Sequence, residues 1–139
     1  MIERINPFKI SSFGHYSQAV KIDLGTKTMI LVAGQIALQE DGTPVAPGDF
    51  TAQTHFVFRR IQLVLEAAGA SLDDVVKALF FITDAGKYSE VSAVRNEYFA
   101  VARPASAMVE ISNTVAKGCD VEIEVMAIVD NPTGSHNAR

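Results

Sequence analysis

Val75-Val76-Lys77-Ala78-Leu79-Phe80-Phe81-Ile82 decides the fold. The run carries a single charge, is short for a core helix, and is apolar at odd and even positions alike. Such a segment reads as a strand buried inside a sheet. A helical pattern lies on either side of it. Between Phe50 and Ala68 the positions Phe56, Val57, Ile61, Val64, Leu65 and Ala68 recur at helical spacing. Gly69 follows, where positive φ closes a helix at little cost. Lys87 to Ala100 repeats the pattern through Tyr88, Val91, Val94 and Tyr98.

Four further strands complete the set. Ala19 to Leu24 alternates and pairs as a hairpin with Thr28 to Ile36 across Gly25-Thr26-Lys27. Ser106 to Ile111 and Val121 to Val129 close the chain. The order β-β-α-β-α-β-β predicts an α+β fold, a two-layer sandwich with a mixed sheet and two helices on one face. Glu40 to Asp49 (EDGTPVAPGD) is the main internal loop. Residues 1–130 are expected to form one domain, and 131–139 (NPTGSHNAR) a flexible tail.

Two helices cover one face of such a sheet. Met29 to Val32, Val75 to Ile82 and the second half of Val121 to Val129 are nevertheless apolar on both faces. Apolar area left in water costs about 25 cal/mol per Å². The uncovered face is therefore expected to meet another subunit.

Composition narrows the function. The chain has 139 residues, 48% of them hydrophobic, and a formal net charge of -4 from 12 basic and 16 acidic residues. Its longest basic run is Arg59-Arg60, whereas a nucleic-acid binder ordinarily shows a basic stripe, so no nucleic-acid partner is expected. No run approaches the roughly 20 apolar residues of a membrane span, and the start has no secretory layout. The expected setting is cytoplasmic. The lone Cys119 excludes an intramolecular disulfide and a multi-cysteine zinc site. His15, His55 and His136 show no metal-ligand spacing, so no metal is expected. His55 reads as a boundary residue and Cys119 as an inert thiol.

Glu122 and Glu124 share one face of the last strand, opposite Val121, Ile123 and Val125. Beside Met126 and Ile128, one of them is expected to be desolvated, with a pKa raised toward values useful for proton transfer. A solvated strand end or an ion pair between subunits is the competing reading of the same two carboxylates. Ser106, Met108 and Glu110 alternate in the same way, and Glu110 is expected to add a third carboxylate if its strand pairs with the last one.

Four segments, in order and in register, carry a resemblance: Gly14-His15-Tyr16-Ser17-Gln18, Ala33-Gly34-Gln35-Ile36, Val64 to Lys77 (VLEAAGASLDDVVK) and Val121-Glu122-Ile123-Glu124. Together they resemble the RidA (YjgF/YER057c) family over about residues 5 to 130. The resemblance implies a chorismate-mutase-like fold and a homotrimer with clefts between subunits. It further implies hydrolysis of enamines and imines to 2-oxo acids and ammonia, with no cofactor. Tyr16, Gly34 and Glu122 match the family pattern, which makes Glu122 and Tyr16 the catalytic candidates and the Gly34 backbone a substrate contact.

Other positions depart from that pattern. In Arg103-Pro104-Ala105-Ser106-Ala107-Met108, Ser106 stands where the family carries the arginine that grips a substrate carboxylate. Met108 replaces a small residue or cysteine, His15 a proline, and Ala33 a frequent serine. Ser92 and Arg95 occupy helix positions where Asn and Tyr are expected. Three residues of offset on a strand reverse the face, so Arg103 is not expected to replace the missing fork. Its loss costs roughly 1.5–3 kcal/mol in substrate binding. The expected cleft holds Tyr16, Gly34, Ser106, Met108 and Glu122, with His15 at its rim. Acidic imines are expected to react slowly, and Ser106→Arg to restore the fork.

The leading expectation is a hydrolase that deaminates enamines, imines or related small metabolites with altered specificity. The alternative is a non-catalytic trimer that binds a small molecule; a ribonuclease or translation inhibitor ranks below both.

Overall fold

Asp49 starts the first helix. Its side chain accepts a hydrogen bond from the Ala52 amide at 2.9 Å, satisfying one of the donors that a helix start leaves free. The helix, α1 (Phe50–Ala67), ends where Gly69 turns to φ +86°. There the Gly69 amide donates to the Glu66 carbonyl and the Ala70 amide to Leu65, the paired closure that a left-handed glycine permits. Between these ends, Val57, Phe58, Ile61, Val64 and Leu65 are fully buried. Each contributes about 1.5–3 kcal/mol relative to exposure, which holds α1 on the sheet.

The computed structural model describes residues 1–8 and 14–132. The strands are β1 (Ile2–Ile5), β2 (Ala19–Asp23), β3 (Lys27–Ile36), β4 (Val75–Ile82), β5 (Ala105–Glu110) and β6 (Val121–Asp130), with α2 (Tyr88–Tyr98) between β4 and β5. They form one six-stranded sheet in the order β1-β2-β3-β6-β4-β5. All neighbours are antiparallel except β4 and β5, which run parallel because α2 crosses between them. The chain is thus the α+β sandwich its pattern predicts. Val121, Ile123, Val125 and Ala127 of β6 point into the core beneath the helices. There Phe58 stacks on Tyr98 at 4.5 Å and meets Phe99 at 5.0 Å and Phe80 at 6.0 Å between ring centroids.

The opposite face carries Glu122, Glu124, Met126 and Ile128 of β6, in register with Phe81 and Leu79 of β4 and with Leu31 and Met29 of β3. None of these eight is fully buried, and Leu31 is exposed. The doubly apolar strands therefore leave a largely uncovered apolar face on the single chain.

Three expectations are corrected. The sheet has a strand the pattern did not show, β1, an edge element paired only to β2. Next, β5 joins β4 and not β6. Its Ser106, Met108 and Glu110 align with Ala78, Phe80 and Ile82, on the helix side of the sheet. Glu110 there accepts the Ala85 amide at 2.7 Å and adds no third carboxylate to the Glu122 face. Alternation fixes the faces of a strand but not its neighbour, and the crossover selects β4. Finally, Asn131 is not part of a free tail. Its amide donates to Thr26, its side chain donates to the Gly25 carbonyl at 2.7 Å, and its Oδ1 accepts the Thr28 hydroxyl at 2.6 Å. The rest of the expected tail, from residue 133 onward and including His136, lies outside the described residues. Among the described residues no helix is long and apolar enough to cross a membrane.

Candidate functional site

The sequence Val32-Ala33-Gly34-Gln35 breaks the regular pairing of β3. The register with β6 shifts between Val32 and Gln35, so a bulge sits beside Glu122. At this bulge Gly34 has no side chain, and the Glu122 side chain occupies the space. A Cβ on residue 34 would lie 3.2 Å from Glu122 Cγ, 3.0 Å from Cδ, and closer still to Oε2. Glycine is needed here for close approach. Glu122 is half-buried, and burial raises its pKa above the usual carboxylate value, with a further push from the Glu124 charge.

Around this pair lies a cleft of about 640 Å³, also lined by Gly14, Tyr16, Gln18, Ile36, Leu38, Arg60 and Val115. Gln18 holds one wall together. Its side chain accepts the Phe8 amide at 3.1 Å and donates to the Phe8 carbonyl at 3.0 Å, while its own amide donates to Asn6 Oδ1 at 2.9 Å. Asn6 and Phe8 thereby become part of the lining. Tyr16 is 60% exposed, which leaves its phenol accessible from the cleft mouth. The start of β6 is anchored by Gln53 of α1, fully buried. Its Nε2 donates to the Gly118 carbonyl at 2.8 Å and its Oε1 accepts the Asp120 amide at 2.7 Å, two residues before Glu122.

Within one chain, Tyr16, Gly34 and Glu122 line this cleft together, and His15, Ser106 and Met108 do not line it. His15 is exposed between two lining residues and does not line the cleft itself. Met108 is half-buried against the main core. Ser106 lines a separate cleft of about 650 Å³ between α2 and the turn before β5, with Arg95, Asn96, Phe99, Ala100, Arg103 and Pro104. Arg103 and Ser106 line this cleft together. Arg103 precedes the strand and has φ +46°, so the alternation of β5 does not govern its direction.

Arg60 was not singled out by sequence reasoning. It lies between the rings of Phe8 and Phe56, at 4.9 and 5.0 Å from their centroids, and burial lowers its pKa. Only the position of Phe56 one helical turn before Arg60 hints at this in the sequence. Cys119 is buried, its thiol donates toward the Ala37 carbonyl at 3.4 Å, and burial raises its pKa, which makes it a packing residue. His55 bonds the Tyr98 hydroxyl at 3.1 Å at the boundary between the helices. Among the described residues no group of three or more His, Cys, Asp or Glu is placed to hold a metal ion.

Comparison with known proteins gives this cleft a family. Residues 8–129 match the family described as Endoribonuclease L-PSP. A RutC family protein of Pyrococcus abyssi is 38% identical over 114 residues, covering 82% of this chain and 86% of its own. A 2-iminobutanoate/2-iminopropanoate deaminase of Capra hircus is 31% identical over 118 residues, covering 85% and 82%. A crystal structure from Mycobacterium tuberculosis, described as a member of the YjgF/YER057c/UK114 family, superposes with a TM-score of 0.78 at 33% identity, covering 93% of this chain and 100% of that one. With its sheet order, its Gly34–Glu122 contact and these relatives taken together, the chain belongs to the RidA (YjgF/YER057c/UK114) family.

Proposed function

We propose that the protein is a hydrolase of small enamines and imines, and that Glu122 handles the protons of the reaction. The observation that carries this reading is the half-buried Glu122 carboxylate, with its pKa raised by burial and by Glu124, over Gly34 in a cleft shared with Tyr16. In the reaction, water adds to the C=N carbon and the carbinolamine then expels ammonia, leaving a carbonyl compound. Water must lose a proton as it attacks, and nitrogen must gain one to leave. A single carboxyl group whose pKa is raised can take the proton from water and pass one to nitrogen. Tyr16 closes the cleft mouth. The deaminase named among the relatives acts on 2-imino acids, which makes this class the first substrate to test.

Specificity is altered relative to that class, because residue 106 is a serine and supplies no guanidinium. The functional unit is a homotrimer, in keeping with the apolar face opposite the helices and with the family resemblance. The net charge of -4 argues against RNA as the partner. The test is ammonia release from 2-iminopropanoate and from a neutral imine, by the wild-type protein and by Glu122→Gln. Turnover that falls at least about 100-fold in the variant supports the reading. Wild-type rates equal to the uncatalysed ones, with saturable binding of the 2-oxo acid, would leave a binding protein instead.

A further inference from the structure

We propose that Arg60 is a positioning residue for Glu122, acting through Phe8 and Gln18 on the β3 bulge that carries Gly34. The chain of contacts starts on α1. The Arg60 guanidinium carbon lies 4.9 Å from the ring centroid of Phe8 and 5.0 Å from that of Phe56. Phe56 belongs to the same helix, one turn earlier, and seats the guanidinium. Phe8 is the ring brought to it from the segment between β1 and β2. The Gln18 side chain fixes the Phe8 backbone at both its polar groups, 3.1 Å from the amide and 3.0 Å from the carbonyl. Gln18 then reaches the bulge. Its carbonyl accepts the Ala33 amide at 2.8 Å, and the Ala33 carbonyl accepts Gln35 Nε2 at 3.0 Å. Ala33 is thus held on both sides, and the next residue is Gly34, across which the Glu122 carboxylate lies.

The guanidinium is suited to this task. It is half-buried, and among the described residues it forms no ion pair. Burial disfavours its charge, which the more distant charge of Glu40 partly offsets, and a desolvated cation gains more from a ring face than an exposed one does. Around Glu122 the titratable groups are Glu124 on its own strand and Tyr16 and Arg60 along the cleft. Its register partners, Ile36 of β3 and Phe81 of β4, carry no charge. Burial is the main cause of its raised pKa, so a wall that recedes and admits water lowers that pKa. Loss of a cation acting directly on the carboxylate does the opposite and raises it. The sign of the shift therefore separates positioning from a direct effect of charge.

Carboxyl-carbon NMR of the ligand-free, full-length chain tests this by reading the pKa of Glu122 in the wild-type protein, Arg60→Met and Phe8→Leu. Both variants are expected to shift it to lower pH, although Phe8→Leu changes no charge. A raised or unchanged value in either folded variant overturns the positioning role. Arg60→Lys keeps the charge but loses the flat face that two rings enclose, and is expected to shift the pKa in the same direction by less. It takes the place of Arg60→Met if that variant does not fold, and Phe56→Leu likewise takes the place of Phe8→Leu. Lower melting temperatures with the Glu122 pKa unmoved would reduce Arg60 to a packing residue and overturn the positioning role. The positioning of Glu122 stands on the contacts, and only its consequence for turnover rests on the hydrolase reading. Ammonia release from 2-iminopropanoate separates the two. Wild-type turnover with an unmoved pKa in the variants sinks the positioning role and leaves the hydrolase. A lowered pKa in the variants of a protein without turnover does the reverse.

Discussion

The carboxylate of Glu122 lies across the α-carbon of Gly34, in space that a β-carbon would fill. The β3 bulge and the β6 strand thus meet at a point where one side chain exists only because another does not. Gly34→Ala presses first on the mobile end of Glu122, which can swing away, so the fold is expected to survive with a loss under about 1 kcal/mol. Activity is expected to suffer more, because an ångström of displacement at a reacting group costs about 100-fold. Thermal melts alongside kcat measurements check this. A variant that retains full turnover would show that the position of Glu122 is immaterial.

Glu122 also predicts a pH dependence. Its folded pKa lies above the unfolded value, because burial and the Glu124 charge disfavour the ionised form. The folded state therefore holds the proton more tightly. The stability contributed by this group is full below the ordinary carboxylate pKa and is lost as pH rises through the raised one. Glu122→Gln is expected to flatten that decline and to be no less stable than the wild-type protein at pH 7. Glu124→Gln removes the secondary cause and is expected to lower the pKa of Glu122. Denaturation curves between pH 4 and 8 for the three proteins measure both effects.

Gln53 links the helix layer to the strand that carries Glu122. Gln53→Leu keeps the volume and removes both the donor to Gly118 and the acceptor for the Asp120 amide. Two half-buried backbone groups then lose their partners, at a cost of about 1–3 kcal/mol. Urea unfolding measures that loss. Turnover is expected to fall too, because the lead-in to Glu122 loses its anchor.

The uncovered sheet face predicts association. Sedimentation at micromolar concentration is expected to show a species of about three chains, as the family resemblance implies. Leu31→Lys, placing a charge on the exposed apolar face, is expected to shift the distribution toward single chains. A wild-type monomer would remove the case for a trimer.

How far the sequence can be read differs from element to element. The helix α1 and the strand β4 are legible because burial imposes period and run length on their own residues. The Glu122–Gly34–Tyr16 group is legible through motif resemblance, and Glu122 also through its apolar surroundings. Four-residue β1 is not, since only Ile5 among its residues is even half-buried and pairing with β2 holds it. The neighbour of β5 is not encoded in its alternation. Nor is the positive φ of Arg103, just before the strand, where strand reasoning does not apply. Asn131 reads as tail from composition, but its side chain satisfies polar groups of the β2–β3 hairpin.

The sheet order has a consequence for biosynthesis. The described strand nearest the C-terminus, β6, sits in the middle, between β3 and β4. A chain emerging from the ribosome can form the β1–β2–β3 meander early and the β4–α2–β5 crossover later, but the two halves share no strand pairing until β6 is released. Folding is therefore completed after translation of nearly the whole domain, with half-sheet edges open in the interval. Because Glu122 lies on the joining strand, a nascent or truncated chain that stops before β6 lacks both the finished sheet and the carboxylate that faces Gly34.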